Sequence, residues 1–267
     1  MKFTGDAMLL TVNNLNISFE QYTSFFRKRI VHVVHDLDLE VRDGEIMAIF
    51  GASGSGKSLL AHAILGLLPY NALVSGEIKY KEENLTKERL NKLYGKEISF
   101  IPQTVNSLNP LLKVGKQSEY TANRRDVERV YQEFGLEREV LNLYPHELSG
   151  GMLRKVLVSD AILSDANLII ADEPTPGMDT KSTDTIVNYF KSVKEKGKSA
   201  VVITHDIEMA MKCADRIAFF YDGTIIETTE IENIGEDGSG LTHPYSRALF
   251  RALPENGFHS IEAGDLC

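Results

Sequence analysis

The 267-residue sequence contains no uninterrupted apolar run of about 18 residues, the length a membrane-spanning helix requires. Its first residues, MKFTGDAMLLTVNNL, lack a basic segment followed by a long apolar one, so no secretory leader is expected. Cysteine is scarce. Cys213 and Cys267 are the only two, too few for a disulfide framework and suited to a reducing cytosolic compartment. Excess positive charge is missing as well: 29 Lys and Arg face 38 Asp and Glu, a formal net charge of −9. That balance argues against nucleic acid as a partner. Internal repeats and low-complexity segments are also absent. What remains is an ordinary soluble composition, 43% hydrophobic and 25% charged. The length supports one large domain, or one domain plus a lobe, with a sizeable core.

Strand and helix signals alternate along most of the chain. Residues 9–19 and 30–41 read as strands, with a turn at Asp43-Gly44. EIMAIF, 45–50, is a short apolar run ending at a glycine, the pattern of a buried parallel strand. A helix is expected from Lys57 to Leu68, and shorter strands at 76–80 and 97–102. Residues 104–165 change character, with helical patterns and Asn/Pro punctuation at 106–110. Strands return at LIIA from 168 and AVVIT at 200–204, with helices near 180–196 and 206–213. RIAFFYDGTIIE reads as a hairpin turning at Asp222-Gly223. EDGSG, 236–240, is a linker signal before a tail with one short helix. The layout is an α/β core interrupted by a helical insertion.

GASGSGKS, 51–58, matches the phosphate-loop pattern in full, after an apolar strand and before a helix. Triphosphate oxygens need many donors. After Gly51, the backbone amides of Ser53, Gly54, Ser55, Gly56, Lys57 and Ser58 are expected to curl around them, with Gly54 and Gly56 permitting the curl. The Lys57 ammonium reaches the β- and γ-phosphates, and the Ser58 hydroxyl ligates magnesium. LIIADEPT, 168–175, ends an apolar strand in two acids before a proline. Asp172 is expected to hold magnesium through water, and Glu173 to act as the general base on the attacking water. His205 follows another buried strand, at the end of the sheet where α/β proteins place ligands. There it can contact the γ-phosphate and orient Glu173.

LSGGM, 148–152, raises a further question, because adjacent glycines are poor helix formers yet open an amphipathic helix. A serine and two bare amides at a helix N-terminus make an anion site. The series of phosphate loop, SFIPQ, LSGGM, LIIADEP, Asp179 and ITHD resembles the ATP-binding cassette ATPases over nearly the whole chain. The resemblance implies an α/β fold: a P-loop NTPase (RecA-like) core with an antiparallel β subdomain and an inserted α-helical subdomain. The corresponding divisions are 1–103, 104–165 with the signature, 166–235, and a tail from 236 to 267. It implies that Ser149, Gly150 and Gly151 close over ATP held by a second subunit. It further implies that Gln103 senses magnesium and the attacking water, that Asp179 lies in the loop crossing the dimer interface, and that Phe19 stacks on adenine. Tyr22, Phe25 and Phe26 are alternatives for that aromatic. Two departures stand out: Met152 where the signature ends in Gln, and TPGMD before the interface aspartate.

YPHELSGGM, SLNPLLKVGKQ and the tail HPYSRALFRALP resemble the importers of peptides and nickel. GGMLRKV is slightly nearer the nickel type than the peptide-type GGMRQR pattern. The resemblance implies a peripheral ATPase on the cytoplasmic face of the membrane, using ATP and magnesium. Its expected partners are a paralogous ATPase, two membrane permeases and an extracellular substrate-binding protein. An exporter ATPase is the alternative. ABC ATPases of DNA repair carry long insertions between loop and signature, whereas about ninety residues separate Ser58 from Leu148 here. Translation-type proteins carry two cassettes, and this chain has one.

Overall fold

The computed structural model describes residues 7–24, 27–235 and 237–253, with side chains described outside 22–27. The first half holds β1 (Met8–Ser24), β2 (Arg27–Arg42), β3 (Ile46–Phe50), α1 (Lys57–Ile64), β4 (Ala72–Tyr80), β5 (Glu83–Asn84), α2 (Lys87–Leu93) and β6 (Ile98–Ile101). Then come α3 (Val114–Ser118), α4 (Arg124–Glu133) and α5 (Gly150–Leu163). The remainder holds β7 (Leu168–Asp172), α6 (Thr180–Glu195), β8 (Ser199–Thr204), α7 (Ile207–Cys213), β9 (Arg216–Tyr221), β10 (Thr224–Glu230) and α8 (Pro244–Arg251). One sheet is antiparallel, in the order β2-β1-β4-β5. The other runs β10-β9-β3-β8-β7-β6 and is parallel except for the β9–β10 hairpin.

Every residue of β3, β7 and β8 is buried, which explains why these strands read as continuous apolar runs. Alternate side chains serve opposite faces. Met47, Ile49, Ile170, Val201 and Ile203 pack against α1 and the antiparallel sheet. Ile46, Ile169, Ala171, Ala200 and Val202 pack against α4, α5 and α6. Burying one such side chain contributes about 1.5–3 kcal/mol, so this double coverage is the main source of stability at the sheet.

The helices follow their caps. The Asn123 side chain accepts from the Asp126 amide at 3.1 Å, and Val127, Val130, Tyr131 and Phe134 then line one face of α4. Asp179 caps α6 through the Ser182 amide at 2.9 Å, ahead of buried Ile186, Val187, Phe190 and Val193. The expected helix from Lys57 stops at Ile64 instead of Leu68, because Gly66 enters the left-handed region at φ 65° and the Leu67 amide closes back on His62. The helix α2 is not expected from the sequence pattern; its signal is Thr86, whose hydroxyl accepts from the Arg89 amide at 3.3 Å. After β10 the tail returns to the core: Glu227 accepts from the amides of Thr242 at 2.6 Å and His243 at 3.1 Å. The Tyr221 and Tyr245 rings approach to 3.8 Å between centroids, which seats α8 beside β9.

Asp160, on α5, is a half-buried carboxylate beside the Ser118 hydroxyl. One of its carboxylate oxygens is buried with no hydrogen-bond partner among the described residues, and burial pushes its pKa up to about 7. A carboxyl raised above its unfolded value contributes stability that is complete below the unfolded pKa, near 3.8, and is lost as pH rises towards 7. Asp160→Asn is therefore expected to flatten the loss of thermal stability between pH 4 and 7 and to melt several degrees higher above pH 7. Parallel melting curves for the two proteins across that range would contradict the burial account.

Candidate active site

Strand register brings the motifs together. Phe50 pairs with Thr204, Asp172 with Ile203, and Ala171 with Ile101. Gly51, His205, Glu173 and the Pro102-Gln103 step therefore leave four adjacent strands at one edge, the carboxyl edge where α/β sheets bind ligands. Gly51 has no room for a side chain: a Cβ there would lie 2.3 Å from the Phe220 carbonyl oxygen of β9. Gly54 and Gly56 adopt φ of 79° and 111°, which curls the loop before α1. The Lys57 ammonium lies inside the curl, donating to the carbonyls of Gly51 at 2.8 Å and Ala52 at 2.7 Å. Burial lowers its pKa, and Glu173 and Asp172 act in the opposite sense. Ser53, Gly54, Gly56, Lys57, Ser58, Gln103 and Glu173 line a cleft of about 400 Å³, roofed by Val33 of β2.

The acidic pair divides as its environment dictates. Asp172 is buried, and its Oδ1 accepts from the Ser58 hydroxyl at 3.1 Å. Burial raises its pKa, partly offset by that hydrogen bond. Glu173 steps out of the strand at φ 49°, a left-handed conformation that costs a non-glycine residue about 1–3 kcal/mol. Its amide donates to the Ile203 carbonyl at 2.9 Å, and its Oε2 lies 2.8 Å from His205 Nδ1. A carboxylate and an imidazole are thus joined at the mouth of a phosphate cradle.

The LSGG segment faces elsewhere. Ser149 caps α5, accepting from the Met152 amide at 3.3 Å, and Ser149 and Gly150 are exposed. Gly150 and Gly151 line a second cleft of about 420 Å³ with Gln103, Arg154 and Gly177, and Gln103 is the residue it shares with the first. Asp179, besides capping α6, pairs with Lys155 of α5 at 2.9 Å. These hydrogen bonds and that ion pair hold the Asp179 carboxyl well below the usual range.

A family model described as ABC transporter matches residues 34–176. The chain belongs to the ABC transporter family. Among its relatives is the oligopeptide transport ATP-binding protein OppD of Lactococcus lactis subsp. cremoris, 35% identical over 239 residues, spanning 83% of this chain and 70% of that protein. The dipeptide transport ATP-binding protein DppD of Escherichia coli is 34% identical over 267 residues, spanning 92% and 79%. Among solved structures, the dimeric bacterial ABC transporter cassette MJ0796 matches with a TM-score of 0.73 at 27% identity, over 83% of this chain and 98% of that one.

In this ABC chain the Ser58 hydroxyl and Asp172 carboxylate converge as hard oxygen donors, a set that fits magnesium, which keeps several waters and takes few protein ligands. Phe19 pairs with Val31 and Ala72 in the antiparallel sheet, and its half-buried ring packs on the core next to α1, outside the residues that line the phosphate cleft. The side chains of Tyr22, Phe25 and Phe26 lie outside those described. Sequence reasoning missed Val33, which carries no chemical signal, and Arg154, a basic residue of α5 buried against the site. Among the described residues no helix is long and apolar enough to cross a membrane.

Gly51→Ala forces its Cβ against strand backbone rather than a movable side chain. It is expected to destabilise the chain by about 1–3 kcal/mol and to weaken nucleotide binding, read by thermal melting and by titration with a fluorescent ATP analogue. Wild-type behaviour in both would mean that β3 and β9 are not packed as described.

Proposed function

We propose that this chain is the ATP-hydrolysing subunit that powers an ABC importer of peptides. The observation that carries the reading is the joined Glu173–His205 pair at the mouth of the phosphate cradle, in a chain whose relatives are peptide-transport ATP-binding proteins. Those relatives favour peptides over the nickel chelates that GGMLRKV left open. The amides of residues 53–58, following Gly51, and the Lys57 ammonium bind the triphosphate. Ser58 and Asp172 hold magnesium, with Gln103 beside it, and the ion supplies charge neutralisation on the phosphates. Glu173 accepts the proton of the attacking water, and His205 fixes its carboxylate. Phe19 or a neighbouring aromatic of β1 stacks on adenine.

Ser149 and Gly150 are exposed at a helix N-terminus, and Gly150 and Gly151 line a cleft separate from the chain's own cradle, which supports a role in trans on ATP held by a second ATPase. Asp179 lies at that interface. The second ATPase is read as a paralogue, giving a heterodimer under two permeases fed by an extracellular binding protein. Residues 104–165 form the lobe facing the permeases, between core segments 1–103 and 166–235 and ahead of the tail 236–267. The assembly sits peripherally on the cytoplasmic face of the membrane. Differential binding of ATP to the closed and open dimer drives the switch.

Lys57→Ala is expected to weaken ATP binding at least about tenfold, since it removes the cradle's cation; unchanged affinity would undo the assignment. Glu173→Gln keeps the shape and removes the base. It is expected to retain ATP binding while lowering turnover about 10²- to 10⁴-fold, trapping a closed dimer. Recovered from its own cells in detergent with ATP and magnesium, this variant is expected to bring down a paralogous ATPase and two polytopic permeases. Ribosomal or DNA-repair partners would overturn the transport reading.

A further inference from the structure

Arg154 lies one turn inside α5 from the glycines of LSGG, and its side chain is almost entirely enclosed, 8% exposed. Its guanidinium donates to three backbone carbonyls that belong to two other segments. One terminal nitrogen reaches the Pro102 oxygen at 3.0 Å and the Glu173 oxygen at 3.1 Å. The other donates to the Gln103 oxygen. Nε is buried with no partner among the described residues. Burial lowers the pKa of this cation, while Asp172 and Glu173 pull it back up. A buried charge of this kind costs desolvation that an apolar side chain of similar length would avoid. Its compensation is therefore concentrated on what those three carbonyls hold in place.

Two of the three bear on chemistry. The conformation of Glu173 is left-handed, so its carbonyl is turned out of the β7 ladder and needs a donor from elsewhere. Every polar group of the residue is pinned: the amide by Ile203, the carboxylate by His205, the carbonyl by Arg154. The first two anchors come from β8 and the step after it. The third comes from the helix that carries LSGG. Without it the carbonyl is left unpaired, and the residue is free to relax toward the extended region that non-glycine residues prefer. That relaxation carries the carboxylate away from its hydrolytic position. The same guanidinium holds the carbonyl of Gln103, which lines both clefts.

We propose that Arg154 is a positioning residue for ATP hydrolysis: it locks the left-handed conformer of Glu173 and the Gln103 step to α5, so that the seating of the LSGG helix sets the geometry of the chain's own general base. The inference rests on the reading of Glu173 as that base. The test is the steady-state ATPase rate of the transporter complex carrying wild-type chain, Arg154→Met, Arg154→Lys, Glu173→Gln, or Arg154→Met with Glu173→Gln. Arg154→Met removes all donors at similar length. It is expected to lower kcat about 10- to 100-fold while the KM for ATP stays within about threefold, the split produced by losing an interaction that matters in the transition state. Arg154→Lys, which keeps the charge and fewer donors, is expected to recover part of that loss. On the Glu173→Gln background the same Met substitution is expected to change the residual rate less than about twofold, because residues acting as one unit are not additive. A wild-type kcat in Arg154→Met would overturn the proposal, as would an equal fall on both backgrounds, which would show a general effect on the fold. Should Arg154→Met fail to assemble, Arg154→Lys decides: unchanged kcat refutes the lock, and a fall in kcat at constant KM supports it. Wild-type turnover in Glu173→Gln would instead remove the general-base reading beneath it.

Discussion

Everything at the site depends on the register of five parallel strands. Once Phe50 pairs with Thr204 and Asp172 with Ile203, the phosphate loop, the acidic pair and His205 emerge at one edge with no further adjustment. The register is set by apolar alternation: shifting β8 by one residue would exchange the side chains packed on α1 for those packed on α4 to α6. Because both faces are covered, no such slip leaves the core intact. Gly51 adds a second lock, since its close approach to the Phe220 carbonyl fixes the height at which the loop leaves β3 beside β9. The geometry of the candidate site is thus inherited from core packing, and the loop contributes chiefly amides and one ammonium.

Helix α5 has a different part. Its first turn presents exposed backbone, its Lys155 pairs with Asp179, and its Arg154 crosses to Glu173 and the Pro102-Gln103 step. Gly151 also approaches Gly177, where a Cβ would lie 3.1 Å from the carbonyl. One helix therefore touches both segments that flank the acidic pair. A partner's nucleotide engaging the exposed end of α5 would act on an element already bonded to Glu173 and the Pro102-Gln103 step. In physical terms, ATP would be glue between subunits and a load on the same helix.

Much of this was legible in the sequence because the chemistry is local. GASGSGKS specifies donors, glycine curl, ammonium and hydroxyl within eight residues, and its flanking strand and helix are visible as periodicity. β3, β7 and β8 were readable because full burial leaves only apolar residues. The hairpin at Asp222-Gly223 announced itself through its turn, with both residues at positive φ. Element edges were less legible. β4 begins at Ala72 rather than 76, since its first half draws order from pairing with β1, a partner more than fifty residues away in sequence. The short helix α2 depended on one capping hydroxyl among charged residues that favour helix and loop alike. Arg154 was invisible for a stronger reason. Its partners are main-chain oxygens, which every residue possesses, so no side-chain pattern records the contact.

The strained backbone at Glu173 connects these observations. A residue at positive φ persists only where the surroundings over-determine it, and here the determining groups come from two elements with different duties. β8 and His205 belong to the edge of the parallel sheet. Arg154 belongs to α5, whose N-terminal end carries the exposed Ser149 and Gly150. A base held wholly by the sheet would stand ready whenever ATP entered the cradle. A base held partly by α5 is ready only while that helix is seated. Because the three bonds of Arg154 are made from a costly buried cation, they are sensitive to small displacements: a guanidinium that loses one carbonyl in a water-poor setting forfeits far more than an exposed one would. A shift of α5 too small to alter the cradle would therefore suffice to release Glu173. All three bonds are made in the single chain described, so Glu173 is held without a partner, and its release would take a displacement of α5 that leaves the residues of the phosphate loop where they are.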